Sequence, residues 1–527
     1  MKADLSESSS SHSPRIAELS PGISPQAQNP SNLQNPLTPE STQGSPEIYN
    51  KQMEGPLTIH FRGINITPGG YAAGEFVRRS RALSADMATP FNSLTMPGAS
   101  QSQLPEFFGS ARQSKITGFV DGRIGNVNLS AYVSSDFLSS GTTSTSSSTN
   151  SYNLRLRQAW GQVKFDDGWS FLAGQSWSLV TEDARGISPD DDIGKTNDVR
   201  PKTIDSIYNV GFNYARQPGI RIAKGFGDKF TAALSVENPQ ATLTTHGNAA
   251  NYLLGQAGAS GSYNSLSTYS FNPSPDIIAK VAFDPGFGHY EVYGLLDRFT
   301  DRVFPCVENF ASPACGSLTA APATAVGAYT SAKEGGALGA SARWLFAHHV
   351  VFGLKGVGGS GIGRYGPAGL PDASINPDGT VHLVKNLLGL STLEFHTRKF
   401  DVYGYTGAEY ASRTYGFDPF ANKGAGAFVG YGAPTFNNTG CYIETPPSSA
   451  NGSAGFDPGS LANCTADSRV VIEGTTGFWY RITNTPRGRF QFGSQYSYVT
   501  RNTWSGDGRE PHGVDDMIFA SFRYYLP

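Results

Sequence analysis

From about residue 57 onward, apolar and polar side chains alternate in short runs. In segment 126–136, Val127, Leu129, Ala131 and Val133 share one face, and Asn128, Ser130, Tyr132 and Ser134 share the other. Leu338, Ala340, Ala342, Trp344 and Phe346 likewise oppose Gly339, Ser341 and Arg343, and Phe490, Phe492, Tyr496 and Tyr498 oppose Arg489, Gln491, Gly493 and Gln495. At the end of the chain, Ile518, Ala520, Phe522, Tyr524 and Leu526 alternate with Phe519, Ser521, Arg523 and Tyr525. A period of two is that of a β-strand with two unlike faces. The apolar faces finish in aromatics, as an interfacial girdle does. The polar faces carry Arg, Gln and Ser, which places them against water inside a pore.

The connections between these segments alternate as well. Tight turns fall at Gly125-Asn126, Asp166-Asp167-Gly168, Phe226-Gly227-Asp228, Pro285-Gly286-Phe287-Gly288, Ala347-His348-His349, Arg398-Lys399 and Pro486-Arg487-Gly488. Between them lie long polar stretches at 67–112, 137–150, 179–206, 238–275, 300–333, 364–384, 411–467 and 502–513. Seven short and eight long connections join sixteen segments up and down. Tight turns at one end and long loops at the other mark a transmembrane β-barrel; a soluble sandwich has no reason to sort its loops by side. The predicted fold is therefore all-β: an antiparallel transmembrane barrel of about 16 strands, with short periplasmic turns and long extracellular loops. The last segment resembles the C-terminal strand that directs assembly of outer-membrane proteins, although Leu526-Pro527 stands where Phe or Trp is usual.

Composition agrees. Hydrophobic residues make up 38% of the 527, and no apolar run approaches the ~20 residues that a spanning helix needs. Aromatics at 12% and 62 glycines suit girdles and loops. Residues 1–54 are rich in Ser, Pro, Asn and Gln and are expected to be disordered; residues 55–527 form the barrel. No apolar leader-like stretch follows Met1. The net charge of −3 gives no reason to expect nucleic acid as a partner. Cys306 with Cys315, and Cys441 with Cys464, each fall inside one long loop, and their spacing suits two disulfides better than zinc. Asp190-Asp191-Asp192 and His348-His349 lack a metal-binding pattern, and no metal or cofactor is expected. No nucleophile elbow or H-E-x-x-H occurs, and His60, His382 and His396 are scattered, so no enzymatic activity is expected.

Four stretches carry a family resemblance: Ala111-Arg112-Gln113-Ser114, then Leu154-Arg155-Leu156-Arg157-Gln158-Ala159-Trp160-Gly161-Gln162, then Leu172-Ala173-Gly174-Gln175-Ser176-Trp177-Ser178, then Tyr214-Ala215-Arg216-Gln217-Pro218. In order and spacing the chain resembles the DcaP-like porins of Gram-negative bacteria, acidobacterial members in particular. The resemblance implies a sixteen-stranded barrel in outer-membrane lipid, a homotrimer, and passage of small, often anionic solutes. The family's N-terminal helix is not carried over, because Pro14, Pro21, Pro25, Pro30, Pro36 and Pro39 interrupt that region here.

In sixteen-stranded porins the third loop folds into the lumen, which makes 179–206 the constriction loop. It holds Arg185, Asp190, Asp191, Asp192, Arg200 and Lys202 among its charges. By alternation Arg155, Arg157, Arg343, Lys355, Arg489 and Arg523 project from the wall into the lumen. Facing charges in a narrow channel select by sign, so these basic residues are expected to attract small anions such as carboxylates. The competing reading is a barrel with a structural or adhesive role through its long surface loops. The face assignment around Gln158–Gly161 depends on whether a bulge flips it.

Overall fold

A computed structural model describes residues 57–139, 152–189, 199–257, 268–309, 312–346, 349–446 and 461–527. The segment expected to be disordered, 1–54, and Asp190-Asp191-Asp192 lie outside the described residues. The chain forms a closed barrel of sixteen antiparallel strands, each bonded to the strand before and after it. We number them β1 (Ile64–Arg79), β2 (in two pieces, Glu106–Ser110 and Lys115–Ile124), β3 (Val127–Asp136), β4 (Arg155–Phe165), β5 (Trp169–Trp177), β6 (Arg216–Phe226), β7 (Phe230–Glu237), β8 (Asp276–Phe283), β9 (Gly288–Val303), β10 (Tyr329–Phe346), β11 (Val350–Ser360), β12 (Lys385–His396), β13 (Phe400–Ala411), β14 (Ser468–Thr485), β15 (Gly488–Thr503) and β16 (His512–Tyr525). β16 pairs with β1 from Tyr71↔Tyr525 to Arg79↔Met517, which closes the ring.

The alternation sorts side chains as the sequence demands. Ser521 and Phe519 point in and are fully buried, whereas Ile518, Phe522 and Tyr524 point out. Outward residues such as Leu338 and Val292 are 74% and 61% exposed. A ring of exposed aliphatic side chains with this much free surface is stable only in hydrocarbon. At the short-turn end a continuous aromatic row crosses five strands: Phe230 on Phe283 at 4.5 Å, Phe283 to Tyr290 at 6.3 Å, Tyr290 to Trp344 at 5.9 Å, and Trp344 on Phe352 at 5.8 Å. Such a girdle sits where hydrocarbon gives way to headgroups.

The first and third long connections differ most from the sequence reading. The first long connection was expected to begin at 67, yet β1 runs on to Arg79. Pro68 pairs with Gly118 on one side, while β16 pairs with β1 only from Tyr71. The missing N–H of Pro68 therefore leaves no gap in that ladder. Gly70 takes φ +129° there, where a Cβ would fall 2.1 Å from the Lys115 carbonyl oxygen. The third connection is longer than expected and ends only where β6 begins at Arg216.

Candidate pore-lining site

The connection between β5 and β6 lies inside the barrel. Its backbone is tied to inward-facing wall residues around more than half of the ring. Leu179 N donates to Glu237 Oε1 (2.9 Å), Asp183 N to Glu291 Oε1 (3.0 Å), Lys202 N to the Tyr405 hydroxyl (2.9 Å), Val210 N to Glu473 Oε2 (2.8 Å) and Gly211 N to Glu409 Oε1 (2.9 Å). In return Trp479 Nε1 donates to Lys202 O at 2.8 Å, and Gln113 Nε2 to Ile204 O at 2.6 Å. The inward acids of β7, β9, β13 and β14 thus satisfy loop amides that strands and helices would otherwise pair. Close approach is possible because an inward position of β13 is glycine: a Cβ on Gly407 would sit 1.8 Å from Val210 O.

Two groups of cations result. In the first, Glu182 of the loop binds Arg343 through Nε (3.0 Å) and Nη2 (3.1 Å), and Lys355 Nζ at 2.7 Å. Burial raises the Glu182 carboxyl, but Arg343 and Lys355 outweigh it and hold it well below the usual carboxylate range. In the second, Asp136 of β3 binds Arg155 (2.9 and 2.8 Å) and Arg157 (2.7 Å) of β4. Nearby, Arg200 of the loop and Arg216 of β6 lie against the Trp177 ring, their guanidinium carbons 5.0 and 4.8 Å from its centre. Arg155 and Arg157 are within electrostatic reach of Arg216. Arg216 Nη1 is buried and meets no hydrogen-bond partner among the described residues. Burial pushes the neighbouring Tyr214 phenol up to about 12 against the pull of Arg216, so it stays neutral.

A bulge sits at Arg157: Gln158 pairs with Ser134 and Leu156 with Ser135. It turns Arg157 and Gln158 both inward, so the inward set of β4 is Arg155, Arg157, Gln158 and Trp160. Arg523 binds Glu75 (2.9 and 2.8 Å), and Arg489 lies over the Tyr525 ring at 4.1 Å. The six wall cations therefore do not form one cluster, and five of them are ion-paired to buried carboxylates, with Arg155 alone of the five still partly open to water. Arg185 is exposed on the inserted loop and Lys202 half-buried. Cys306–Cys315 and Cys441–Cys464 are disulfides within the 304–328 and 412–467 connections. His60 and His396 stand at the short-turn end and His382 in the 361–384 connection, so they share no site. Trp177, Arg216 and Asp136 escape a reading of single residues. Trp177 and Arg216 do stand in two of the stretches that carry the family resemblance, and they bracket the charged loop.

These features define a closed, sixteen-stranded antiparallel β-barrel of the transmembrane type, with a loop drawn into its interior. Its fold is similar to that of the outer membrane channel DcaP of Acinetobacter baumannii, at 12% identity, covering 89% of this chain and 99% of that one, with a TM-score of 0.56. Weaker likeness extends to OmpF of Salmonella typhi in complex with daunomycin (10% identity, 89% and 100% covered, TM-score 0.45) and to an anion-selective porin from Comamonas acidovorans (9% identity, 88% and 100% covered, TM-score 0.42). No protein-family model and no curated protein sequence match the chain.

Proposed function

We propose that the chain is an outer-membrane porin that lets small hydrophilic solutes diffuse down their gradients, with a preference for anions such as carboxylates. The 178–215 connection is its constriction, the short turns face the periplasm, and three copies associate as in the family the sequence resembles. One observation supports the preference: Arg200 and Arg216 lie against Trp177, and Arg155 and Arg157, which share the Asp136 carboxylate, are within electrostatic reach of Arg216. Guanidinium groups in a confined lumen raise the local concentration of anions and bind carboxylates through paired N–H donors. Planar bilayers under a salt gradient test this. Stepwise conductance with a reversal potential on the anion side is expected, and replacing Arg200 and Arg216 together by Gln should move it toward neutrality. Cation preference would overturn the anion reading. A folded barrel that never conducts would favour the structural or adhesive role instead.

A further inference from the structure

The 238–275 connection leaves the rim between β7 and β8 but is fastened elsewhere. Thr242 N donates to Asp372 Oδ2 at 2.6 Å, and Leu243 pairs with Ala373 of the β11–β12 connection. Leu243 and Leu254 pack with Phe299, Ile375 and Val381. Further on, His246 exchanges two backbone hydrogen bonds with Gly430, at 2.9 and 3.0 Å. Gly430 belongs to the β13–β14 connection, six strands round the ring. There His246 Nε2 lies 2.7 Å from Asp467 Oδ1, Asp467 Oδ2 accepts Gly432 N at 2.6 Å, and the Phe436 ring stands edge-on to the imidazole at 5.7 Å.

We propose that residues 241–254 are a lid across the long-loop mouth of the barrel, latched by the His246–Asp467 pair and lifting when that pair loses its charge. The lid rests on the reading of the chain as a channel. The groups that face the latch act together. Asp467 comes from the segment ahead of β14, and Arg501 of β15 fixes that segment by donating to Ser468 Oγ (2.7 Å) and Ala466 O (2.6 Å). Tyr431 stays close by, its hydroxyl donating to Ser468 O. The hydrogen bond that the Asp467 carboxylate accepts from the imidazole raises the His246 pKa. The latched state therefore holds the imidazole proton more tightly than the lifted one, and latching is lost as pH rises through the raised value.

The test uses the full chain with Ala373→Cys, a fully buried position under the lid, and a membrane-impermeant maleimide. At about pH 6, labelling should be roughly ten-fold faster when His246→Gln is added, and near pH 8.5 the two backgrounds should label alike. Equal rates at the lower pH, or the same ratio at both, would overturn the lid. If Ala373→Cys fails to fold, Leu243→Cys on the lid side of the same bridge gives the same readout. In bilayers, closures should be frequent at the lower pH and rare at the higher one. A barrel that conducts at neither pH sinks the channel reading, while labelling still decides the lid.

Discussion

Glu182 and Arg343 are joined by two parallel hydrogen bonds, one from Nε and one from Nη2, although 161 residues separate them. The first belongs to a loop and the second to the C-terminal end of β10. With Lys355 of β11 on the same carboxylate, the pair fixes the loop to the wall and sets the local charge at one net positive unit.

Replacing Glu182 by Gln should reveal both roles. Two buried cations lose their partner, which typically costs about 3 kcal/mol, so thermal unfolding in detergent should begin at lower temperature. In bilayers the reversal potential should move further toward anions. An unchanged melting curve would show that the pair does not hold the loop.

Asp136→Asn is expected to act on the other group. It frees Arg155 and Arg157 without adding bulk, and anion preference should rise. Arg155→Gln with Arg157→Gln should lower it. Opposite shifts from the two variants, measured under one salt gradient, are the required outcome. Shifts of the same sign would remove this group from the conduction path.

Asp205 gives a pH dependence of stability. It accepts Ile207 N (3.0 Å) and Thr89 N (3.4 Å) on Oδ1, while Oδ2 is buried without a partner among the described residues. Burial raises its carboxyl to about 6, against about 3.9 in an unfolded chain. The folded form therefore binds the proton more tightly, and this stabilisation is full below the unfolded value and lost as pH rises through about 6. Asp205→Asn should compare better with the parent at pH 8 than at pH 4, by about 1–3 kcal/mol in urea unfolding. No difference between the two pH values would mean that the carboxyl is solvated.

Gly407→Val should expel the middle of the loop. The added Cβ meets Val210 O at 1.8 Å, and the bonds from Val210 N to Glu473 and from Gly211 N to Glu409 would break with it. Larger unit conductance together with lower thermal stability is expected. A smaller conductance would mean that the loop collapses inward instead.

Much of this architecture could be read from residue types alone. Period-two alternation placed Tyr132 and Ser134 inside and Leu338 outside, because a barrel wall gives every strand residue one of two environments. Turn residues placed the six tight connections that fall wholly within the described residues, since two- to four-residue reversals need specific backbone chemistry. The extent of β1 past Pro68 was not legible, because tolerance of a proline within a strand depends on where β16 stops pairing. The site was less legible. Alternation showed that Arg343 and Arg157 face inward but not that Glu182 and Asp136 meet them, because partners across a lumen are set by closure rather than spacing. Nothing in the sequence around Glu409 and Glu473 marks them as acceptors for the amides of Gly211 and Val210.

The seam between β1 and β16 constrains assembly. Tyr71 meets Tyr525, and Val77 meets Phe519, so the first strand of the ring waits for the last before its edge is covered. Contacts of such extreme sequence separation make for slow folding, and until the seam forms both terminal strands expose unpaired backbone, a template for wrong partners. Loss of β16 alone would therefore leave an open sheet with two reactive edges rather than a slightly smaller barrel.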